Sequence, residues 1–211
     1  AILNLQTSDT TVTADSVLGA INFQAPDEAS GTDSILIASK IEAIAEDTFA
    51  ADNNATSLVF STASSAAAGT VSGKMTFTSG GNLIIKDTDT ADGSSPTITL
   101  QSGDTDIAAN DVLGTINFQA PDEGTGTDAI LVAAGIEAVS EGDFSSSSNA
   151  TKLVFKTGAS ETAASKMTLS SGGVLNVDGG ITVDNITIDG QEIDVSSGDL
   201  TLDVAGDIIL D

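Results

Sequence analysis

The chain has 211 residues, of which 40% are hydrophobic but only 3% aromatic, and its formal charge is −25. It contains no His, Cys, Trp or Tyr, and all six basic residues are Lys. That inventory excludes an imidazole general base, a thiolate nucleophile, a disulfide and a zinc–thiolate site. It also leaves too few clustered cations for a nucleic-acid phosphate backbone, and no apolar run reaches the 18 residues of a membrane helix. The apolar residues are mostly Ala, Ile, Val and Leu, which suit thin layers and narrow interiors better than a bulky core. An acidic, Lys-poor surface suits a saline setting, where screening is strong (a Debye length of about 3 Å at 1 M salt).

In chain order, the first apolar run is Ile2–Leu5, followed by VLGAINFQA at Val17–Ala25. Ile21 and Phe23 recur at period two and mark the buried face of a strand, which Pro26, Asp27 and Glu28 end as a turn. The next run, Ser34–Phe49, fits two patterns. Ile37, Ile41 and Ile44 make a helical stripe, while Ile35, Ile37, Ile41, Ala43 and Ala45 alternate. Its counterpart at Ala129–Phe144 carries Gly135 in mid-run, which costs about 1 kcal/mol in a helix, so a strand is expected. A third strand is expected at Ala55–Ala63. In Gly73–Asp87, Met75, Phe77, Leu83 and Ile85 flank a Ser-Gly-Gly turn at Ser79–Gly81, a hairpin or corner signal.

The same series then recurs. Val17–Glu28 (VLGAINFQAPDE) returns as Val112–Glu123 (VLGTINFQAPDE), and Ser8–Phe60 matches Gly103–Phe155 at 31 of 53 positions without a gap. The offset is 95 residues, falling to 92 where Gly73–Ile85 meets Ser165–Val177. Thr97–Leu100 repeats Ile2–Leu5 and is expected to be a short strand. Beyond Leu175 the rhythm shortens to strands of a few alternating residues closed by Asp, Gly or Asn. Such strands bury little alone; three chains wound together, or a stacked solenoid, bury more. Three units are therefore expected: repeat module 1 at 1–95, repeat module 2 at 96–177 and a short-strand rod at 178–211.

Candidate chemistry is sparse. Asp27–Glu28 and Asp122–Glu123 are acidic pairs that each follow a Pro, but adjacent residues after a strand diverge into solvent rather than face one substrate. Asp178, Asp184, Asp189, Asp194, Asp199, Asp203 and Asp207 do not recur at the nine-residue period of a calcium-binding β-roll, and read as Asx turns. Asn54, Asn149 and Asn185 open N-x-T triplets and read as turns leading into strands. Lys74 and Lys166 read as guards against edge pairing, and Met75 and Met167 as core filler. The expectation is a non-enzyme with no catalytic, cofactor-binding or metal-binding residue. The chain lacks an initial Met and a signal peptide and stops within a strand-like pattern, so it is expected to be part of a longer protein.

The order Gly19–Phe23, Leu58–Thr62, Lys74–Leu83, repeated as Gly114–Phe118, Leu153–Thr157, Lys166–Leu175 and followed by Ser197–Asp211, resembles the repeated shaft modules of bacteriophage tail fibre proteins, those of marine phages in particular. The resemblance covers nearly the whole chain. It implies an all-β, elongated homotrimeric fibre shaft, with tandem antiparallel β modules followed by a β-prism or triple β-helix rod. It further implies a structural segment of the virion that links it to the host cell surface during adsorption. The implied partners are two more copies of the chain, other virion tail proteins, and a host receptor bound through regions outside this segment. Neither nucleic acid nor membrane insertion is implied. The alternatives are a bacterial extracellular filament or adhesin stalk built of β repeats and, third, a glycan-binding module. A sugar site is disfavoured because sugar rings stack on Trp or Tyr faces.

Overall fold

A computed structural model describes residues 1–24, 36–63, 71–121, 127 and 130–182. The chain divides into two compact units, Ala1–Thr99 and Leu100–Asp211. The first unit holds β1 (Val17–Gln24), β2 (Ile37–Ala45), β3 (Thr56–Ala63), β4 (Val71–Phe77) and β5 (Leu83–Ile85). They form one antiparallel sheet in the order β1-β2-β3-β4-β5, each strand paired with its neighbour in sequence. The second unit repeats the meander with β6 (Val112–Gln119), β7 (Val132–Ser140), β8 (Thr151–Thr157), β9 (Ala164–Leu169) and β10 (Leu175–Val177). Among the described residues every element is a strand apart from a 3₁₀ position at Ile130, and none forms a helix able to cross a membrane.

The ambiguous run is thus a strand in both copies. The β-branched side chains of Ile41 and Val139 suit a pleated surface, and Gly135 pairs with Asn117 in the ladder. Irregularities repeat along with the strands. Leu18 and Leu113 fall at a register shift between the first two strands of each sheet, and Lys74 and Lys166 fall at one between the third and fourth. Lys74 and Lys166 therefore stand at bulges of inner strands and not on sheet edges, which corrects their reading as edge guards. Asp15 and Asn110 adopt φ of 68° and 75°, a left-handed conformation that short polar side chains tolerate. The chain turns there so that Asp15 and Asn110 donate N–H bonds to the carbonyls of Ala45 (2.9 Å) and Ser140 (3.0 Å).

The Ser-Gly-Gly signal is a hairpin. Thr78 N–H donates to Asn82 C=O at 3.0 Å, and Gly81 takes φ of 79°, which a three-residue loop needs and glycine supplies. Ser170 and Val174 close the same loop in the second copy, with Gly173 at φ of 80°. Ile2–Leu5 and Thr97–Leu100 are not strands, contrary to expectation. The arm in each unit is held by side-chain packing instead of a ladder. A Cβ on Gly19 would sit 2.6 Å from Leu5 Cβ, and one on Gly114 would sit 2.7 Å from Leu100 Cβ.

Buried apolar side chains are few and small: Ala45, Val59, Val139, Val154 and Ala163 among the described residues. Ser140 is fully buried where the first copy has Ala45. Its hydroxyl donates to Ala108 C=O and accepts the Asp111 N–H at 2.9 Å, which satisfies the buried oxygen on both sides.

Candidate functional site

The cross-strand pairing fixes which residues share a face. In the first sheet Ile21, Ile41, Phe60, Met75 and Ile85 stand in one row, and Gly19, Ala43, Leu58, Phe77 and Leu83 in the next. In the second sheet the corresponding rows are Ile116, Ile136, Phe155, Met167, Val177 and Gly114, Ala138, Leu153, Leu169, Leu175. No row contains a charged residue, although Asp, Glu and Lys make up 18% of the chain. Both sheets thus bring together the Ile, Phe, Leu and Met positions picked out by alternation.

That face was expected to be buried, and in the single chain it is open. Phe23 is 51% and Phe118 55% exposed, with Ile21, Leu58, Phe77, Leu83, Ile116, Leu153, Leu169 and Leu175 between 38% and 54%. Alternation identifies an apolar face but does not say what covers it. Phe60 and Phe77 meet edge to face, with ring centroids 6.2 Å apart, and Leu169 removes that ring pair from the second copy. Beside Leu100, a shallow groove of about 170 Å³ runs over Gly114, Ile116, Ile136, Ala138 and Leu153.

The opposite face is polar and better covered. Lys40 bonds Glu42 at 2.7 Å along its own strand, and Lys156 bonds Glu137 at 2.8 Å from the neighbouring strand. Glu42 and Glu137 occupy equivalent positions in the two copies, but their lysines do not. Lys40 corresponds to Gly135, and Ser61 to Lys156. Two substitutions together keep one cation at each covered carboxylate, whose burial unpaired would be costly. Neither residue stands out in one copy alone; setting the two copies side by side reveals the exchange.

Glu46 and Glu141 were also missed. Ser57 and Ser79 hydroxyls donate to the Glu46 carboxylate, as does the Ser79 N–H at 2.9 Å. These bonds hold its pKa below the usual value, with the Ser57 hydroxyl contributing most. Glu141 binds the Ser171 hydroxyl and N–H, which lower its pKa likewise, aided by the charge of Lys152. Each glutamate straps the end of the second strand to the hairpin between the last two.

Asp27, Glu28, Asp122 and Glu123 lie outside the described residues, as do Asn185 and the aspartates of the tail after Asp178. Asn54 and Asn149 stand two residues before the first residues of β3 and β8 and are not themselves in turns; the Thr56 and Thr151 hydroxyls donate to their carbonyls at 2.9 Å. No group of three or more acidic side chains that would hold a metal occurs among the described residues.

No protein-family profile matches the chain, and no curated protein is significantly similar. Among solved structures it is similar to the carboxy-terminal domain of the bacteriophage T5 L-shaped tail fibre with its intramolecular chaperone domain. That match has a TM-score of 0.39 and 13% identity, over 98% of this chain and 68% of the other. It is also similar to the carboxy-terminal domain of that fibre alone, with a TM-score of 0.38 and 11% identity, over 92% of this chain and 95% of the other. Likeness at this level fixes neither the fold nor the function of the chain; those rest on the sheets themselves.

Proposed function

We propose that this chain is a structural shaft segment of a phage tail fibre, in which three copies close their apolar sheet faces against one another. The observation that carries the reading is the uncharged face of Ile, Leu, Phe and Met, repeated at the same register in both sheets. A partner for it must be apolar and uncharged there, and the equivalent face of another copy meets that requirement. With ten large side chains left roughly half exposed, covering them is worth about 1 kcal/mol each. The sum of about 10 kcal/mol is as large as the whole stability of an ordinary domain. In this reading residues 1–95 and 96–177 are successive shaft modules, 178–211 continue as a rod, and host contact belongs to other parts of the fibre. The order of motifs that resembles phage shaft modules supports the virion setting over a bacterial adhesin stalk.

The test is immunogold electron microscopy with antibody raised against the chain. Label along the tail fibres of phage particles is expected; label confined to bacterial surface filaments would replace this reading with the adhesin stalk.

A further inference from the structure

A sheet edge presents unpaired N–H and C=O groups, and natural edges are kept short, charged or broken by Pro so that no stray strand pairs with them. The edges at β5 and β10 follow that rule: each is three residues long and runs into Lys86 and Asp87 or into Asp178. The edges at β1 and β6 do not. Each is eight residues long, and neither Val17–Ala25 nor Val112–Ala120 holds a charged residue or a Pro, in a chain of formal charge −25. Between the register shifts at their ends, Gly19–Phe23 and Gly114–Phe118 run as regular strand, and among the described residues no strand lies along their outer side. The arm leading into each sheet has the matching deficit. Ile2–Gln6 and Thr97–Gln101 are uncharged, with Leu3 and Leu5, or Ile98 and Leu100, at the period of a strand, yet neither arm pairs with a strand. Ile2 is 96%, Leu3 77% and Ile98 69% exposed. Nor does either arm lie along its own sheet's edge. Side chains point out of the plane of a sheet, so the contacts of Leu5 and Leu100 at the Cβ positions of Gly19 and Gly114 hold each arm above its own first strand and not beside it.

We propose that the arm Ile2–Gln6 of one copy of the chain adds as a strand to the β1 edge of a second copy, and that Thr97–Gln101 adds likewise to the β6 edge. In strand addition, main-chain hydrogen bonds supply the affinity and alternate side chains fix the register. Each arm has five residues, as does each regular edge segment. Both partners are free of charge, so they meet without the repulsion that the rest of two such acidic chains imposes. The contact is heterologous, arm to edge, and a heterologous contact closes a ring when its rotation allows, which suits three copies. It uses the edge of the sheet where the proposed function uses the face. It rests on that reading only in requiring that copies associate, and holds for any number of them.

The test is cross-linking between two single-cysteine variants of the full chain, which has no cysteine of its own. Leu3→Cys and Asn22→Cys both alter exposed positions; the two variants are unfolded, refolded together and treated with a short bis-maleimide. A product containing one chain of each kind is expected, with the arm and β1 peptides joined in its digest. An assembly of three chains whose two thiols stay unlinked overturns this inference and leaves the face-to-face reading standing. The mixed product in a particle of another copy number does the reverse. A product joining only Asn22→Cys chains to one another overturns the inference in favour of edge-to-edge pairing, and a protein that stays a single chain overturns it too. Hydrogen exchange of the assembled protein gives a second readout. Leu3→Pro, which removes an N–H from the arm, is expected to abolish the protection of Gly19–Phe23 and leave that of β3 unchanged; protection of both strands as in the wild type contradicts the proposal.

Discussion

At the residue scale, the two copies act as an internal substitution experiment. Glu42 and Glu137 stay while the lysine moves from the second strand to the third, so the covered carboxylate sets the requirement and either strand can meet it. Lys40→Met leaves Glu42 short of its cation and is expected to cost about 1–3 kcal/mol, between exposed and buried pairs. The double change Lys40→Gly with Ser61→Lys copies the second sheet and is expected to recover most of that in urea unfolding. The glutamate straps make a separate prediction. Because the Glu46 and Glu141 pKa values are lowered in the folded chain, their contribution is complete above the ordinary carboxylate value. It is lost as the pH falls through the lowered one. The protection factors of the Ser79 and Ser171 amides, taken relative to intrinsic exchange at each pH, are expected to hold near neutrality and to fall as the pH drops through the lowered carboxylate values. In Glu46→Gln, the Ser79 amide should be less protected than in the wild type near neutrality, and the difference should vanish at pH values where Glu46 is protonated. Neither strap was legible in the sequence, since Glu46 and Ser79 are 33 residues apart and a glutamate after a strand carries no local signal.

At the element scale, most of the architecture was legible. Alternation placed the strands to within a few residues, and the Ser-Gly-Gly signal located the hairpin, because glycine at positive φ is a local requirement. The helix-or-strand ambiguity of β2 was decided by Gly135, a residue of the other copy. The two arms were misread because Ile2–Leu5 and Thr97–Leu100 have strand composition but meet glycine instead of a neighbouring backbone. Their packing yields a direct test. Gly19→Ala places a methyl group into Leu5 and is expected to cost about 1–3 kcal/mol by overpacking. The companion Leu5→Gly removes the Cβ that the new methyl group meets and should relieve the clash, which thermal unfolding of single and double variants will show. The bulges at Lys74 and Lys166 were not legible, because an extra residue in one strand is defined only against its partner.

At the scale of the whole molecule, the open apolar face is the feature the rest of the account must explain. Its residues were legible from period two, which says which residues share a face and nothing about what covers them; that other copies of the chain cover them was an expectation drawn from the resemblance to trimeric shafts. A chain carrying −25 charges repels its own copies unless they meet on surfaces free of charge, and the two rows in each sheet provide such surfaces. Ile116→Asp or Leu153→Asp places a carboxylate in the middle of one of these faces, where its desolvation opposes closure. Either variant is expected to weaken association while leaving the strand content seen by circular dichroism unchanged. The most direct measurement is the native mass of the wild-type chain by light scattering coupled to size exclusion. The account predicts a particle of three 21.0 kDa chains that persists on dilution, and a stable single chain of 21.0 kDa would contradict it.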